Sequence, residues 1–331
     1  MTGLKVIIDT DPGLGEPGSD IDDGLAIALA LFSPELEVLG LTVVNGNVDA
    51  LTGVDVARRL TRRLGQADLP VLLGATAPLE RDMAPVRALF DAALPPHARS
   101  IGAGLLGPTS DQHAADFLVE QVAAAPGEVV VIAIGPMTNL ALAIAKDPTF
   151  ASNVRELVLM AGSATTYAQN ITVVGDFNAY VDPEALDIVL RSGAKITMVG
   201  LDQTSRVMLT RDDASALRGG PAADDFSRWV ADCTDAWIDY LGVAFPNRPE
   251  HRTACFLHDP LVVAAVIDRS LCTWQRADVR AETTSELARG LVVANRGLAL
   301  EPMATANATV AIDTDVEAFR RLFLERIGAR K

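Results

Sequence analysis

Residues 6–13 read Val6-Ile7-Ile8-Asp9-Thr10-Asp11-Pro12-Gly13, and Asp20, Asp22 and Asp23 follow within ten residues. An apolar run of strand length that breaks off into carboxylates describes a buried strand whose carboxyl end opens on a polar site. Ordinary chain chemistry accounts for part of the pattern. Asp22-Asp23 precedes the apolar run Gly24–Leu31, where acids suit a helix start, and Asp11-Pro12-Gly13 suits a turn. The density is left over: five aspartates in fifteen residues repel one another unless a cation sits among them. A hard divalent ion, Ca2+ or Mg2+, takes several carboxylate oxygens at once, so the stretch reads as a metal site built at a strand end.

Outward from this stretch, short β-branched runs at Leu4–Asp9, Leu36–Val44, Leu69–Leu73, Val129–Ile134, Glu156–Met160 and Ile196–Gly200 read as strands buried on both faces. Helical patterns at Asp22–Phe32, Asp49–Leu64, Ala114–Ala125, Asn139–Ala145 and Pro183–Arg191 lie between them. The alternation predicts an α/β fold: a single doubly wound, mostly parallel sheet with helices on both faces and inserted loops and helices. Residues 75–111 hold five prolines and three glycines and read as a long lid or binding loop. A mainly helical insertion is expected around 211–257, carrying Trp229, Trp237 and Tyr240. The tail, 278–312, reads as short strands closed by a helix from Val316 to Ile327. No repeat or linker divides the chain, so residues 1–331 are expected to form one domain.

Composition narrows the partners. With 49% hydrophobic residues a large core is available, and a formal charge of −15 argues against nucleic acid or an anionic membrane. Cys233, Cys255 and Cys272 show no CxxC spacing, which suits a reducing compartment and neither a disulfide framework nor a zinc site. The chain enters a strand within a few residues and has no run of membrane-spanning length, so a cytoplasmic protein is expected.

Four more segments place polar groups where a strand ends or a helix begins. They are Asn45-Gly46-Asn47, Gly135-Pro136-Met137-Thr138-Asn139, the span from Asn170 to Asp176-Phe177-Asn178, and His258-Asp259-Pro260. An Asn-Gly turn or a helix cap explains each alone. In this order behind the opening Asp-x-Asp-Pro-Gly they resemble the calcium-dependent, inosine-uridine preferring nucleoside hydrolases over almost the whole chain.

The resemblance implies cleavage of the N-glycosidic bond of ribonucleosides to ribose and free base. Asp11, Asp23 and Asp259, with the backbone carbonyl of Thr138, would hold Ca2+, and Asp22 would bind a ribose hydroxyl beside it. The ion would position a water and lower its pKa, and Asp11 would take the proton. The sugar would pass through an oxocarbenium-like state. Asn47, Asn170, Asp176 and Asn178 would grip the ribose, and Phe177 would pack against the sugar or base. His258 would protonate or hydrogen-bond the departing base. The resemblance also implies a homodimer or homotetramer.

This chain departs from the family pattern in three places. Eight residues, Leu14 to Ile21, separate the Gly of Asp-Pro-Gly from Asp22-Asp23, where the family has one. Asp20 or Glu16 in that stretch could take a metal position, or the longer loop could reshape the mouth of the pocket. Asp176 stands where Glu is usual, which suggests tolerance for an altered ribose 5′ end. The family's base-reading loop aligns at Ser100, near His97, and Trp237 and Tyr240 are candidates to face the base; base preference does not follow. Two other readings fit part of the pattern. A haloacid-dehalogenase-like Mg2+ phosphatase also begins with Asp-x-Asp, but it needs a downstream Lys and acidic pair that Lys146 and Lys195 do not supply. A catalytically weak nucleoside- or sugar-binding protein would keep the pocket and lose turnover.

Overall fold

The computed structural model describes residues 3–94, 106–220, 223–300 and 302–328. In chain order the strands are β1 (Leu4–Thr10), β2 (Leu36–Val43), β3 (Val71–Leu73), β4 (Val130–Ala133), β5 (Glu156–Met160) and β6 (Ile196–Val199). They continue as β7 (Met208–Thr210), β8 (Ala254–Phe256), β9 (Cys272–Ala281), β10 (Val292–Asn295) and β11 (Ala308–Thr314). The main sheet runs β10-β9-β11-β6-β5-β4-β1-β2-β3. From β11 to β3 every pairing is parallel, and β9 and β10 add an antiparallel edge. The α/β class and mostly parallel sheet are as the alternation predicts.

β1 is an interior strand, third from the β3 edge, flanked by β2 (Asp9 opposite Thr42) and β4 (Asp9 opposite Ala133). Its side chains alternate between two cores, as the two-residue period of a strand requires. Val6 and Ile8 join Leu25, Ile27 and Leu261 on one face, while Ile7 joins Phe117, Leu118 and Leu140 on the other. Apolar residues cover both sides, so polar groups collect at the strands' carboxyl ends. Helices Asp22–Leu31 and His258–Ile267 pack against each other on the first face. Their N-terminal turns therefore meet beside the end of β1, and the Asp259 N–H donates to Asp22 Oδ2 at 3.2 Å.

β5 and the helix Pro183–Arg191 have the expected bounds, and other expected elements shift by a few residues at their ends. Three regions differ more. Residues 75–111 contain a helix, Ala84–Asp91, with Pro85 in its first turn; proline reads as a breaker in sequence but suits that position. β7 and β8 pair antiparallel, Met208 opposite Phe256, and close the base of the segment carrying helices Arg211–Gly219 and Asp225–Ala244. At three residues each they are too short to show a period. The tail's first strand starts at Cys272, before the expected 278. Among the described residues no helix is long and apolar enough to cross a membrane.

Candidate active site

The floor of the site is the carboxyl end of β1. Asp23 accepts hydrogen bonds from the Thr10 hydroxyl, from the Asp11 N–H at 3.1 Å and from Asn47 Nδ2 at 2.9 Å. Asp11 Oδ2 accepts from the Asn47 N–H at 2.6 Å, while its Oδ1 is buried with no partner among the described residues. Helix capping does not explain these acids. Ile21 occupies the cap position of helix Asp22–Leu31 without a side-chain bond, and Asp23 turns toward β1. Glycines make room for Asp11: a Cβ on Gly46 would lie 1.8 Å from its Oδ2, and one on Gly135 would lie 2.7 Å from its Oδ1.

Beneath this layer, Asp9 accepts from the Thr42 hydroxyl at 2.6 Å and from Asn139 Nδ2 at 2.8 Å. Asn139 Oδ1 accepts from the Ala75 N–H, tying the ends of β1, β3 and β4 together. Thr138 gives its hydroxyl to Asp182, which also caps helix Pro183–Arg191. Sequence reasoning missed the support from Asp9, Thr42 and Asn139. The available signal was the Asp9-x-Asp11 spacing, which puts the two carboxylates on the same side of a strand.

Asp22, Asp23 and Asp259 each offer a carboxylate oxygen within 4.8 Å of the others. Burial first, then mutual repulsion, holds Asp11, Asp22 and Asp259 well above the usual carboxylate range. Burial likewise pushes Asp9 and Asp20 up to about 7. Arg87, whose Nη1 donates to the Asn47 carbonyl at 2.7 Å, offsets part of the charge at Asp11. An all-oxygen donor set, buried, mutually repelling and with an unsatisfied Asp11 oxygen, fits a hard divalent cation.

Above the floor lies a cavity of about 510 Å3, within the range of small-molecule sites. Asp22 and Asp259 reach its wall, whereas Asp11, Asp23 and Thr138 are buried beneath it. Asn47, Asn170, Asp176 and Asn178 line it. Asn178 Nδ2 is held by the Ile134 carbonyl at 2.7 Å. Asp176 caps the helix Phe177–Val181 through one oxygen, and its other oxygen is buried without a partner among the described residues. Phe177 lines the cavity and packs on Phe90, with ring centroids 5.7 Å apart.

The eight-residue stretch adds Gly18 and Asp20 to the wall. Trp237 and Tyr240, stacked at 5.1 Å, line it beside Gly18, with the Tyr240 hydroxyl donating to the Phe90 carbonyl. Arg248 and His251 also line this end and were not singled out from sequence; nothing in their spacing marks them. His97 and Ser100 lie outside the described residues. His258 lines the cavity with its Nδ1 2.8 Å from the Thr204 hydroxyl. Burial pushes its pKa down to about 3, so the ring is neutral near pH 7.

The family model for inosine-uridine preferring nucleoside hydrolases matches residues 6–321. The chain belongs to this family. It is 37% identical over 286 residues to uridine nucleosidase 1 of Arabidopsis thaliana, covering 84% of this chain and 78% of that one. It is 35% identical over 331 residues to the non-specific ribonucleoside hydrolase RihC of Salmonella enteritidis, covering 97% of each. Among solved structures, the plant nucleoside hydrolase PpNRh1 aligns with a TM-score of 0.81 at 31% identity, over 98% of this chain and 99% of that one. The purine-preferring ribonucleoside hydrolase from Gardnerella vaginalis aligns at 0.82 and 30%, over 98% of each. This nucleoside hydrolase thus shares its fold with relatives named for different bases, so the fold alone does not set base preference.

Proposed function

We propose that this nucleoside hydrolase releases ribose from ribonucleosides over a Ca2+ held by Asp11, Asp23, Asp259 and the Thr138 carbonyl. The observation that carries the reading is the unpaired Asp11 oxygen within a buried carboxylate floor, under a cavity walled by amides. When bound, the cation supplies charge neutralisation and lowers the pKa of a nearby water. Asp11 accepts that water's proton as its oxygen bonds to C1′, and the C1′–N electron pair passes to the base. Asp22 and the oriented amide oxygens stabilise the positive charge on the sugar.

Asn47, Asn170, Asp176 and Asn178 hold the ribose hydroxyls, and Asn170 Oδ1 and Asp176 Oδ2, unpartnered among the described residues, are free acceptors. Grip on the sugar orients the reacting carbon and can distort it. Phe177 packs against the sugar, and Trp237 and Tyr240 meet the base. His258, neutral, donates a hydrogen bond to the departing base. The three cysteines are free and buried, which supports a cytoplasmic setting. A homodimer or homotetramer is the expected assembly, tested by light scattering.

The experiment is reducing-sugar release from inosine, adenosine, guanosine, uridine and cytidine, with and without a calcium chelator. Chelator-sensitive ribose release that calcium restores is the expected result. Nucleoside-stabilised melting without release would instead establish a binding protein.

A further inference from the structure

Thr204 closes the short helix Leu201–Thr204 behind β6, and its hydroxyl meets His258 at the first residue of helix His258–Ile267. The Oγ1–Nδ1 distance of 2.8 Å does not by itself say which atom donates. Proton accounting does. A buried hydroxyl needs an acceptor for its one proton, and Thr204 is fully buried. Among the described residues, His258 Nδ1 is the hydrogen-bond partner of that hydroxyl, with no second acceptor beside it. Were Nδ1 protonated, the hydroxyl proton would be stranded; Thr204 therefore donates and Nδ1 accepts.

An imidazolium has a proton on both nitrogens, so a ring whose Nδ1 accepts is neutral and carries its proton on Nε2. Nε2 bonds to no described residue, and His258 lines the cavity. The Phe256 ring, 5.3 Å from the imidazole centroid, restricts how the ring can turn. We infer that Thr204 is a positioning residue that fixes His258 as its Nε2–H tautomer, so that a hydrogen-bond donor faces the departing base. The inference rests on the proposed hydrolysis and on the place of His258 in it. It also defines the leaving group served: a heterocycle with an acceptor near the glycosidic nitrogen, such as a pyrimidine O2 or a purine ring nitrogen. A leaving group already stable as an anion has no need of the donor.

The test uses the calcium-loaded protein with 15N-labelled histidine. The chain has four histidines, so a His258→Gln variant assigns the signals of His258. Long-range proton–nitrogen spectra are expected to show a pyridine-like Nδ1 and a pyrrole-like Nε2 for His258, and the opposite assignment overturns the inference. In kinetics, Thr204→Val should lower kcat on a ribonucleoside about 10- to 100-fold with KM little changed. Thr204→Ser should restore most of the rate. On p-nitrophenyl ribofuranoside the Val variant should match the parent; an equal loss on both substrates makes Thr204 merely structural and overturns the inference. If the parent hydrolyses no ribonucleoside, the hydrolysis reading fails while the tautomer spectrum still decides the hydrogen-bond assignment.

Discussion

The floor and the far wall of the cavity are built by different means. The floor sits on the ends of adjacent parallel strands, where Asp9, Asp11 and Asp23 are fixed by Thr42, Asn139, Asn47 and backbone N–H groups. Register places these groups, and a shift of a residue would turn every side chain to the other face. The far wall is Trp237 and Tyr240 on the helix Asp225–Ala244, with Gly18 from the stretch after β1 against Tyr240. Its pieces come from segments that the sheet does not hold in register. Chemistry common to a family can reside on the first surface, while selection among bases can change on the second without disturbing it.

The largest effect that would break this division is at the floor. Asp11→Asn should lower kcat about 1,000-fold or more with an unchanged circular dichroism spectrum; activity within tenfold of the parent would remove Asp11 from the mechanism. Gly46→Ala should come next. Its Cβ would fall 1.8 Å from Asp11 Oδ2, and the displaced carboxylate should cost about 100-fold in rate and weaken calcium binding. An unchanged variant would mean that the position of Asp11 is not critical.

At the wall, Trp237→Ala should reorder the bases by about tenfold in kcat/KM while leaving p-nitrophenyl ribofuranoside nearly unaffected. A uniform loss across bases would assign Trp237 to folding. Asp176→Glu should raise the preference for parent nucleosides over 5′-deoxynucleosides by a few-fold, because the longer side chain reaches further. Should the native enzyme already strongly reject 5′-deoxynucleosides, the shorter Asp176 does not confer 5′ tolerance.

The smallest effect is on stability, and its sign separates empty from loaded floor. Burial raises Asp9 and Asp20 to about 7 and Asp176 to about 6, from 3.8. A raised folded pKa contributes stability fully below 3.8, and that contribution is lost as pH climbs through 6 to 7. The chelated protein should therefore melt a few degrees lower at about pH 8 than at about pH 5. Calcium should abolish or reverse that slope. A chelated protein that gains stability over the same range would contradict the buried, unneutralised floor.

How much of this the sequence disclosed follows the same division. The runs Val6–Ile8 and Glu156–Met160 are continuous because both sheet faces are covered, so strands and strand-end acids were legible in sequence. Asp182-Pro183 marks its helix because the cap and first-turn rules are local. The base wall depends on long-range pairing between two three-residue strands, which have no local signature, and on a helix starting at Ala84-Pro85, where no capping side chain at Met83 precedes the first-turn proline to mark the start. Thr204 and His251 escaped for the same reason: each matters only through a neighbour distant in the chain, His258 for one and the cavity for the other.

The claim on which the rest stands is that the floor holds a divalent cation. Calorimetric titration of Ca2+ into chelator-treated protein tests it directly, with Asp23→Asn and Asp259→Asn as controls. One equivalent bound by the parent, with affinity lost in both variants while they remain folded, is the predicted result. A folded parent that takes up no calcium, or binds it equally well without these carboxylates, would contradict the account.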